Sequence, residues 1–421
     1  MQERGLAGLR SLGGLPGFRR LLSTQILSQT ADGLYQIAVA SVLVFDVSAA
    51  RTPGQVTKVL AVTLIPFSVV GPFVGPFIDR FSRRSILVGS NVIRVALTLA
   101  LVPALDWPEP ALLALIVANV SVNRFFHATK SAVLPLVVPE TGYLLANTAS
   151  STAGMVFGLL GAVIGGPLTD LVDERAALVA AAALMAAAAA VAGLLALPPG
   201  ERRGLRGIAS ELGDNWRDVR DGLKVLLAQR GARYAVAAIW TIRGVLGFVL
   251  LASLVILRTR LDAGVTGFSV LLGAAAAGGF AGAVMVPAAA RRLGSAGVAP
   301  VALLVAGAAT LALGPIRAWA SVVGAVFIAG LTMTATKVTA DTMVQREIPD
   351  GFRGRAFAVY DIGYNGVFVL AALVPTLLAA VLGPVGIIVL TGVLSVIAGA
   401  AFAAWRRRLR PTAREDRHDV S

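Results

Sequence analysis

Apolar residues run in stretches of about twenty, broken by short charged turns, and each stretch reaches the roughly 20 helical residues that a hydrocarbon core demands. Six such runs lie near 20–45, 56–78, 86–105, 111–130, 144–168 and 176–197. Six more lie near 232–257, 265–288, 297–316, 319–342, 357–381 and 384–405. The pattern therefore predicts twelve membrane-crossing helices. Between the sixth and seventh runs stands the longest polar stretch, 198–231, which opens Pro198-Pro199-Gly200 and carries Arg202, Arg203, Arg206, Arg217, Arg220, Lys224 and Arg230. Within it, Glu211 to Leu227 mixes charged and apolar residues at roughly helical spacing, which predicts a helix lying on the membrane surface. The expected organisation is a first bundle over 1–197, a central loop over 198–231, a second bundle over 232–405 and a basic tail over 406–421.

The two halves echo one another. Ala128-Thr129-Lys130 closes the fourth run and Ala335-Thr336-Lys337 closes the tenth, while Arg83-Arg84 follows the second and Arg291-Arg292 follows the eighth. The two offsets are nearly equal, which argues for a duplicated six-helix unit. The fold expected is an all-α membrane protein of two pseudo-symmetric six-helix bundles.

Composition agrees: 421 residues, 57% hydrophobic and 14% charged, with a mean hydropathy of +0.80, are too apolar for an average soluble domain. A net charge of +14 would suit nucleic acid if the basic residues shared one face of a soluble module, but here they sort by loop. Most of the 37 Lys and Arg fall on one side if both termini are cytoplasmic, including Arg4, Arg10, Arg19, Arg20, Arg80, Arg83, Arg84, Arg406, Arg407, Arg408 and Arg410. The expected partners are therefore the lipid bilayer and a small-molecule substrate, not nucleic acid. Cys is absent and the only His residues are His127 and His418, so neither a metal nor a cofactor is expected. The first run lacks a clear cleavage site and reads as a retained span. No Walker-type phosphate loop occurs, which points to a gradient, with protons as the coupling partner, as the energy source.

An ionisable group inside a span is costly and usually serves a pathway or a partner. Asp32 leads the candidates, in Gln25-x-x-Ser28-Gln29-x-x-Asp32-x-x-Tyr35-Gln36, where polar positions recur every three or four residues and share a face. Gln29 and Gln36 join it as lining candidates. Asp32 either binds a proton or a cationic solute group, or is held by a buried arginine. Arg94, Arg124 and Arg243 supply positive charge for an anionic solute group or for Asp32. Lys337 and Asp341, at i and i+4, and Asp361 beside Tyr360 read as an inner gate or a helix-surface ion pair. His127 reads as an interfacial hydrogen-bonding residue or a proton shuttle.

Gly75, Asp79, Arg80, Arg83 and Arg84 form G-x-x-x-D-R-x-x-R-R, which resembles the loop between the second and third helices of the major facilitator superfamily, with Ser82 where that family usually has Gly. The resemblance implies a conformational latch at these residues. Gly154, Gly158, Gly161, Gly165, Gly166 and Pro167 resemble the glycine-rich fifth helix of the family's antiporting exporters, although small residues at this spacing also suit plain helix packing. The stretch Gln345-Arg346-Glu347-Ile348-Pro349-Asp350-x-x-Arg353-Gly354-Arg355 resembles the inner loop of the drug and siderophore exporters, the branch with macrolide efflux and enterobactin export proteins. Together these resemblances imply a bacterial inner-membrane transporter, not an enzyme. They imply a monomer that exports an amphipathic small molecule by proton antiport. Uptake or facilitated diffusion, and a non-transporting receptor or scaffold, are the alternative readings.

Overall fold

The computed structural model describes residues 11–45, 81–197, 208–260, 264–316 and 318–409, and these are helical with no strand among them. The helices are α1 (Pro16–Ala40), continued by one π turn over Ser41–Phe45, α2 (Arg83–Ala104), α3 (Glu109–Val137), α4 (Tyr143–Leu171), α5 (Glu174–Gly193) and α6 (Ile208–Ala228). They continue as α7 (Arg230–Arg260), α8 (Val265–Leu293), α9 (Ser295–Leu313), α10 (Trp319–Glu347) and α11 (Arg353–Leu409). In hydrocarbon every backbone N–H and C=O must be satisfied within the protein, and the helix does this locally, so apolar runs of this length have no other open form. Nine helical stretches among the described residues are long and apolar enough to cross a membrane.

These elements match the expected runs, with informative differences. The second run, with Gly75, Asp79 and Arg80, lies outside the described residues. The eleventh and twelfth runs are the two arms of α11, which breaks at Gly383 (φ 61°, ψ 174°). Gly294 (φ 72°) makes the single-residue turn between α8 and α9. Both glycines sit in the left-handed region that side-chain-bearing residues avoid. The helix expected from Glu211 to Leu227 is present as α6. At the start of α2, Ser82 accepts the Ser85 amide at 3.1 Å, so the serine standing in the family's glycine position is a helix N-cap. Asp173 caps α5 through the Ala176 amide at 2.7 Å.

The chain divides into two compact units, Met1–Asn215 with Ala263–Gly273, and Trp216–Asp262 with Ala274–Ser421. In the first, α1 packs against α4 and α5, and α2 against α3 and α5. Ala31, Leu34, Tyr35, Leu101, Leu112, Ile116, Leu178 and Met185 form its apolar core. The glycine positions of α4 bring the α1 and α4 backbones together. A Cβ on Gly33 would strike the Gly158 carbonyl and the Ala162 amide, and one on Gly161 would strike the Thr30 carbonyl. Gly165 faces Ile37 and Leu34, and Gly166 faces Ser269 and Thr266. Asp170, one turn further on, accepts the amides of Val265 at 3.1 Å and Thr266 at 2.8 Å, capping the start of α8. In the second unit, α7 packs against α10 and α11, and α9 against the same two helices.

Gly161→Val forces the α1 and α4 backbones apart, with an expected loss of about 1–3 kcal/mol read as a lower melting temperature in detergent. Gly89→Ala, at an α2 position where a Cβ meets nothing within 4 Å, is expected to be neutral or stabilising by up to about 1 kcal/mol. Equal tolerance at the two positions would mean that the close helix approach contributes nothing.

Candidate functional site

Polar residues of α1, α2 and α3 converge inside the first unit. Ser28 and Asp32 share a face of α1 at i and i+4. Asn91, Arg94 and Thr98 share one on α2, and Asn119, Asn123 and His127 recur every fourth residue along α3. Arg94 is fully buried and Asp32 only 7% exposed, and the Arg94 guanidinium is paired through Nη2 with Asp32 Oδ1. Arg94 Nη1 donates to Ser28 Oγ at 3.0 Å and Nε to Asn119 Oδ1 at 3.4 Å, so three of its nitrogens are engaged. The supports are themselves held: Ser28 Oγ donates to Asn91 Oδ1 at 3.1 Å, Asn91 Nδ2 to the Leu87 carbonyl at 2.9 Å, and Asn119 Nδ2 to Thr98 Oγ1 at 2.9 Å. This second layer fixes the fork of the guanidinium against the carboxylate.

The other carboxylate oxygen has different company. Asn123 Nδ2 donates to Asp32 Oδ2 at 3.3 Å, and His127 Nε2 stands 3.6 Å from the same atom. One oxygen of Asp32 thus faces a permanent cation and the other a neutral amide and a titratable ring. The His127 side chain is 34% exposed, against 9% for that of Asp32, so the imidazole lies between the buried carboxylate and the surface. Tyr35, one turn along α1, is buried, and its hydroxyl has no hydrogen-bond partner among the described residues.

Of the residues expected from the sequence, Asp32 and Arg94 come together, in the arrangement where a buried arginine holds the carboxylate. Gln29 lies a turn away, its Oε1 accepting from Gln25 Nε2 at 2.6 Å within α1, while Gln25 itself bonds Ser150 on α4 and so ties the two helices. Gln36 is exposed. Arg124 sits on α3, partly buried. Gly158, Gly161, Gly165 and Gly166 are packed against neighbouring helices as described, and Pro167 lies inside α4. Arg83 and Arg84 open α2. His127, Asn119 and Asn123 were not singled out as partners of Asp32. Their signal was the fourfold spacing of polar residues along an otherwise apolar span.

A second cluster forms in the other unit. Arg243 on α7 lies between the rings of Tyr364 and Phe368, with its guanidinium carbon 4.4 and 4.2 Å from their centroids. Its Nε has no acceptor, and no carboxylate stands within ion-pair distance among the described residues. Lys337 and Asp341 do form the i, i+4 pair on α10, at 3.0 Å. The Tyr360 hydroxyl also donates to Asp341, at 2.6 Å, and the lysine ammonium lies 5.2 and 5.5 Å from the Tyr360 and Tyr364 ring centres. Trp240 Nε1 donates to the Tyr360 carbonyl at 3.1 Å, and the indole occupies the space a side chain at Gly363 would need. Asp361 is exposed, and its carbonyl accepts from Asn365.

The buried pair of the first unit yields a direct expectation. Arg94→Met strands the Asp32 carboxylate and is expected to cost about 3–5 kcal/mol. Asp32→Asn combined with Arg94→Met should recover most of that loss, as a double-mutant cycle on melting temperature reads out. A single Arg94→Met variant as stable as the wild type would remove the pair from the account of stability.

Comparison with known proteins agrees with this architecture. The sequence model of the Major Facilitator Superfamily matches residues 21–361 and 292–420. An MFS-type transporter of Mycobacterium tuberculosis is 31% identical over 408 residues, 93% of this chain and 91% of the relative, and one of Mycobacterium bovis matches equally. A crystal structure of the nucleoside transporter NupG matches with a TM-score of 0.70 over 92% of this chain and 99% of that one, at 13% identity. A POT family transporter in complex with 5-aminolevulinic acid matches with a TM-score of 0.71 over 93% and 96%, also at 13% identity. At that identity the two structures speak for the fold alone. With its helical units, membrane-length apolar segments and full-length match to the family, this chain belongs to the Major Facilitator Superfamily and is a multi-pass membrane transporter, not an enzyme.

Proposed function

We propose that the chain is a secondary active exporter that moves an amphipathic small molecule outward by proton antiport with alternating access, and that Asp32 is its coupling carboxylate. The observation that carries this reading is the asymmetric surrounding of Asp32, with Arg94 on one oxygen and Asn123 and His127 on the other. A proton or a cationic solute group arriving on the carboxylate competes with the Arg94 contact, so loading the site and releasing the guanidinium are one event. Because Arg stays charged at every working pH, the exchange falls on the carboxylate. His127, less buried, is the residue that would pass a proton to it. The loop resemblance over Gln345–Arg355 supports the drug and siderophore branch, and the positive-inside distribution supports an inner-membrane protein with both termini cytoplasmic.

Arg243 supplies the complementary requirement on the solute. A guanidinium inside a span, with aromatic faces and no carboxylate for company among the described residues, suits a solute carrying an anionic or strongly polar group beside a flat apolar body. Lys337, Asp341 and Asp361 belong to this reading as gate residues of the second unit. Asp79, Arg80, Arg83 and Arg84, with Gly75, belong to it as the latch.

Purified protein in liposomes loaded with a pH-sensitive dye, under an imposed pH gradient, is expected to show proton flux triggered by one class among antibiotics, siderophores and lipophilic cations. Asp32→Asn should reduce that flux to the level of empty liposomes in protein that still elutes as a folded species, with the lower melting temperature expected when Arg94 loses its counter-ion. Unchanged coupling in this variant would remove Asp32 from the role, and no flux with any solute would overturn the antiport reading. For the responding solute, Arg243→Lys keeps the charge but loses the planar stack on Tyr364 and Phe368, and is expected to raise KM about tenfold with little change in maximal rate. An unaltered KM would place the solute away from Arg243.

A further inference from the structure

A cavity of about 600 Å³ opens in the second unit where the start of α7 meets the end of α11, lined by Arg230 and Arg233 from α7 and by Ala401, Ala404, Trp405, Arg408 and Leu409 from α11. The residues from α11 fall at i, i+3, i+4, i+7 and i+8 and so share one face, and those from α7 are one turn apart. All three arginines are exposed, and among the described residues none has an ion-pair partner. Arg233 Nη1 is held by the Leu227 carbonyl at the end of α6, at 3.2 Å. Glu347, the acidic group that reaches the start of α7, is occupied there: its Oε2 accepts the Ala232 amide at 2.8 Å.

The wall of the cavity is rigid. Trp405 packs edge-on against Tyr234 at 5.4 Å between centroids and stacks on Phe402 at 5.7 Å, and the Tyr234 hydroxyl is anchored on the Ala296 carbonyl at 2.6 Å. A tryptophan beside arginines at the ends of two membrane-length helices marks the depth of lipid headgroups. From there α11 runs back into its apolar span, and Ala404 and Ala401 present methyl groups where larger side chains would fill the space. The cavity is thus polar and trivalently positive at the helix ends and apolar toward the span. That is the polarity of a phospholipid with an anionic headgroup. A free anion would use the arginines and leave the alanine-lined depth without purpose.

We propose that this cavity is a binding site for one anionic phospholipid, whose phosphate is held by Arg230, Arg233 and Arg408 against Trp405 and whose acyl chain lies over Ala404 and Ala401. The site depends only on the chain's embedding in a membrane, and stands apart from the transport reading. A lipid bound there bridges the first residues of α7 to the last turn of α11 and neutralises three like charges that otherwise repel across the seam.

Delipidated protein in a neutral detergent, titrated with phosphatidylglycerol and observed by native mass spectrometry, is expected to retain one lipid per chain, with phosphatidylcholine retained far less. Arg230→Gln, Arg233→Gln and Arg408→Gln together should weaken phosphatidylglycerol binding by about tenfold or more. Arg291→Gln, Arg292→Gln and Arg407→Gln, which remove the same charge elsewhere, should leave it unchanged. Ala401→Leu with Ala404→Leu fills the apolar depth without altering charge and should cause a comparable loss, which tests the site should the triple-arginine variant not fold. Equal binding by the wild type and the cavity variants, equal loss in the charge-matched control, or equal retention of phosphatidylcholine would each overturn the proposal. Inorganic phosphate displacing the lipid at the lipid's own concentration would replace it with a free-anion site.

Discussion

In hydrocarbon, a polar group that finds no partner within the protein has none, and this constraint shapes the chain at every level. The backbone meets it by becoming helix. Many hydroxyls meet it by turning back on their own helix: Thr24, Thr30, Thr169, Thr241, Thr310, Thr332, Thr336, Thr339, Thr391 and Ser395 each donate to a carbonyl one turn earlier. A charge is satisfied in this way when a counter-ion stands one turn away, as Asp341 does for Lys337 on α10. Asp32 and Arg94 have no opposite charge within a turn of their own helices and need a second helix, which the convergence of α1, α2 and α3 supplies.

The two charged clusters meet the constraint differently. In the first unit the cation and the carboxylate neutralise each other, and Ser28, Asn91, Asn119 and Thr98 satisfy the remaining donors. Such an arrangement is stable as it stands and must be disturbed to do work. In the second unit, Arg243 has the faces of two rings and, among the described residues, no carboxylate within ion-pair distance, a weaker compensation than an ion pair. The proposed carboxylate-centred exchange and solute recognition rest on this contrast between the two clusters.

Glycine illustrates how one sequence feature serves a bland purpose well. The glycine-rich stretch of α4 resembles an exporter helix in outline, yet the close approach of α1 and α4 is a physical use that needs no transport argument: the Gly158 carbonyl and Ala162 amide lie where a Cβ on Gly33 of α1 would stand, and the Thr30 carbonyl lies where one on Gly161 would stand. Helices that associate in lipid gain little from the hydrophobic effect and depend on such close approach.

Length and hydropathy made the helical, membrane-spanning class legible from the sequence alone, because burying a backbone in hydrocarbon leaves one open solution per twenty residues. The same local logic made the helix α6 and the Lys337–Asp341 pair readable, since each depends on neighbours within a turn. The partners of Asp32 were only half readable. Period-four spacing shows that Asn119, Asn123 and His127 share a face of α3, but which face meets α1 is set by how helices far apart in sequence rotate against one another. For the same reason Gln36, on the polar stripe by spacing, proves exposed, and Arg243 proves to lie between Tyr364 and Phe368 rather than beside a carboxylate. Periodicity determines which residues travel together on a helix. Only the packing of helix on helix decides what they meet.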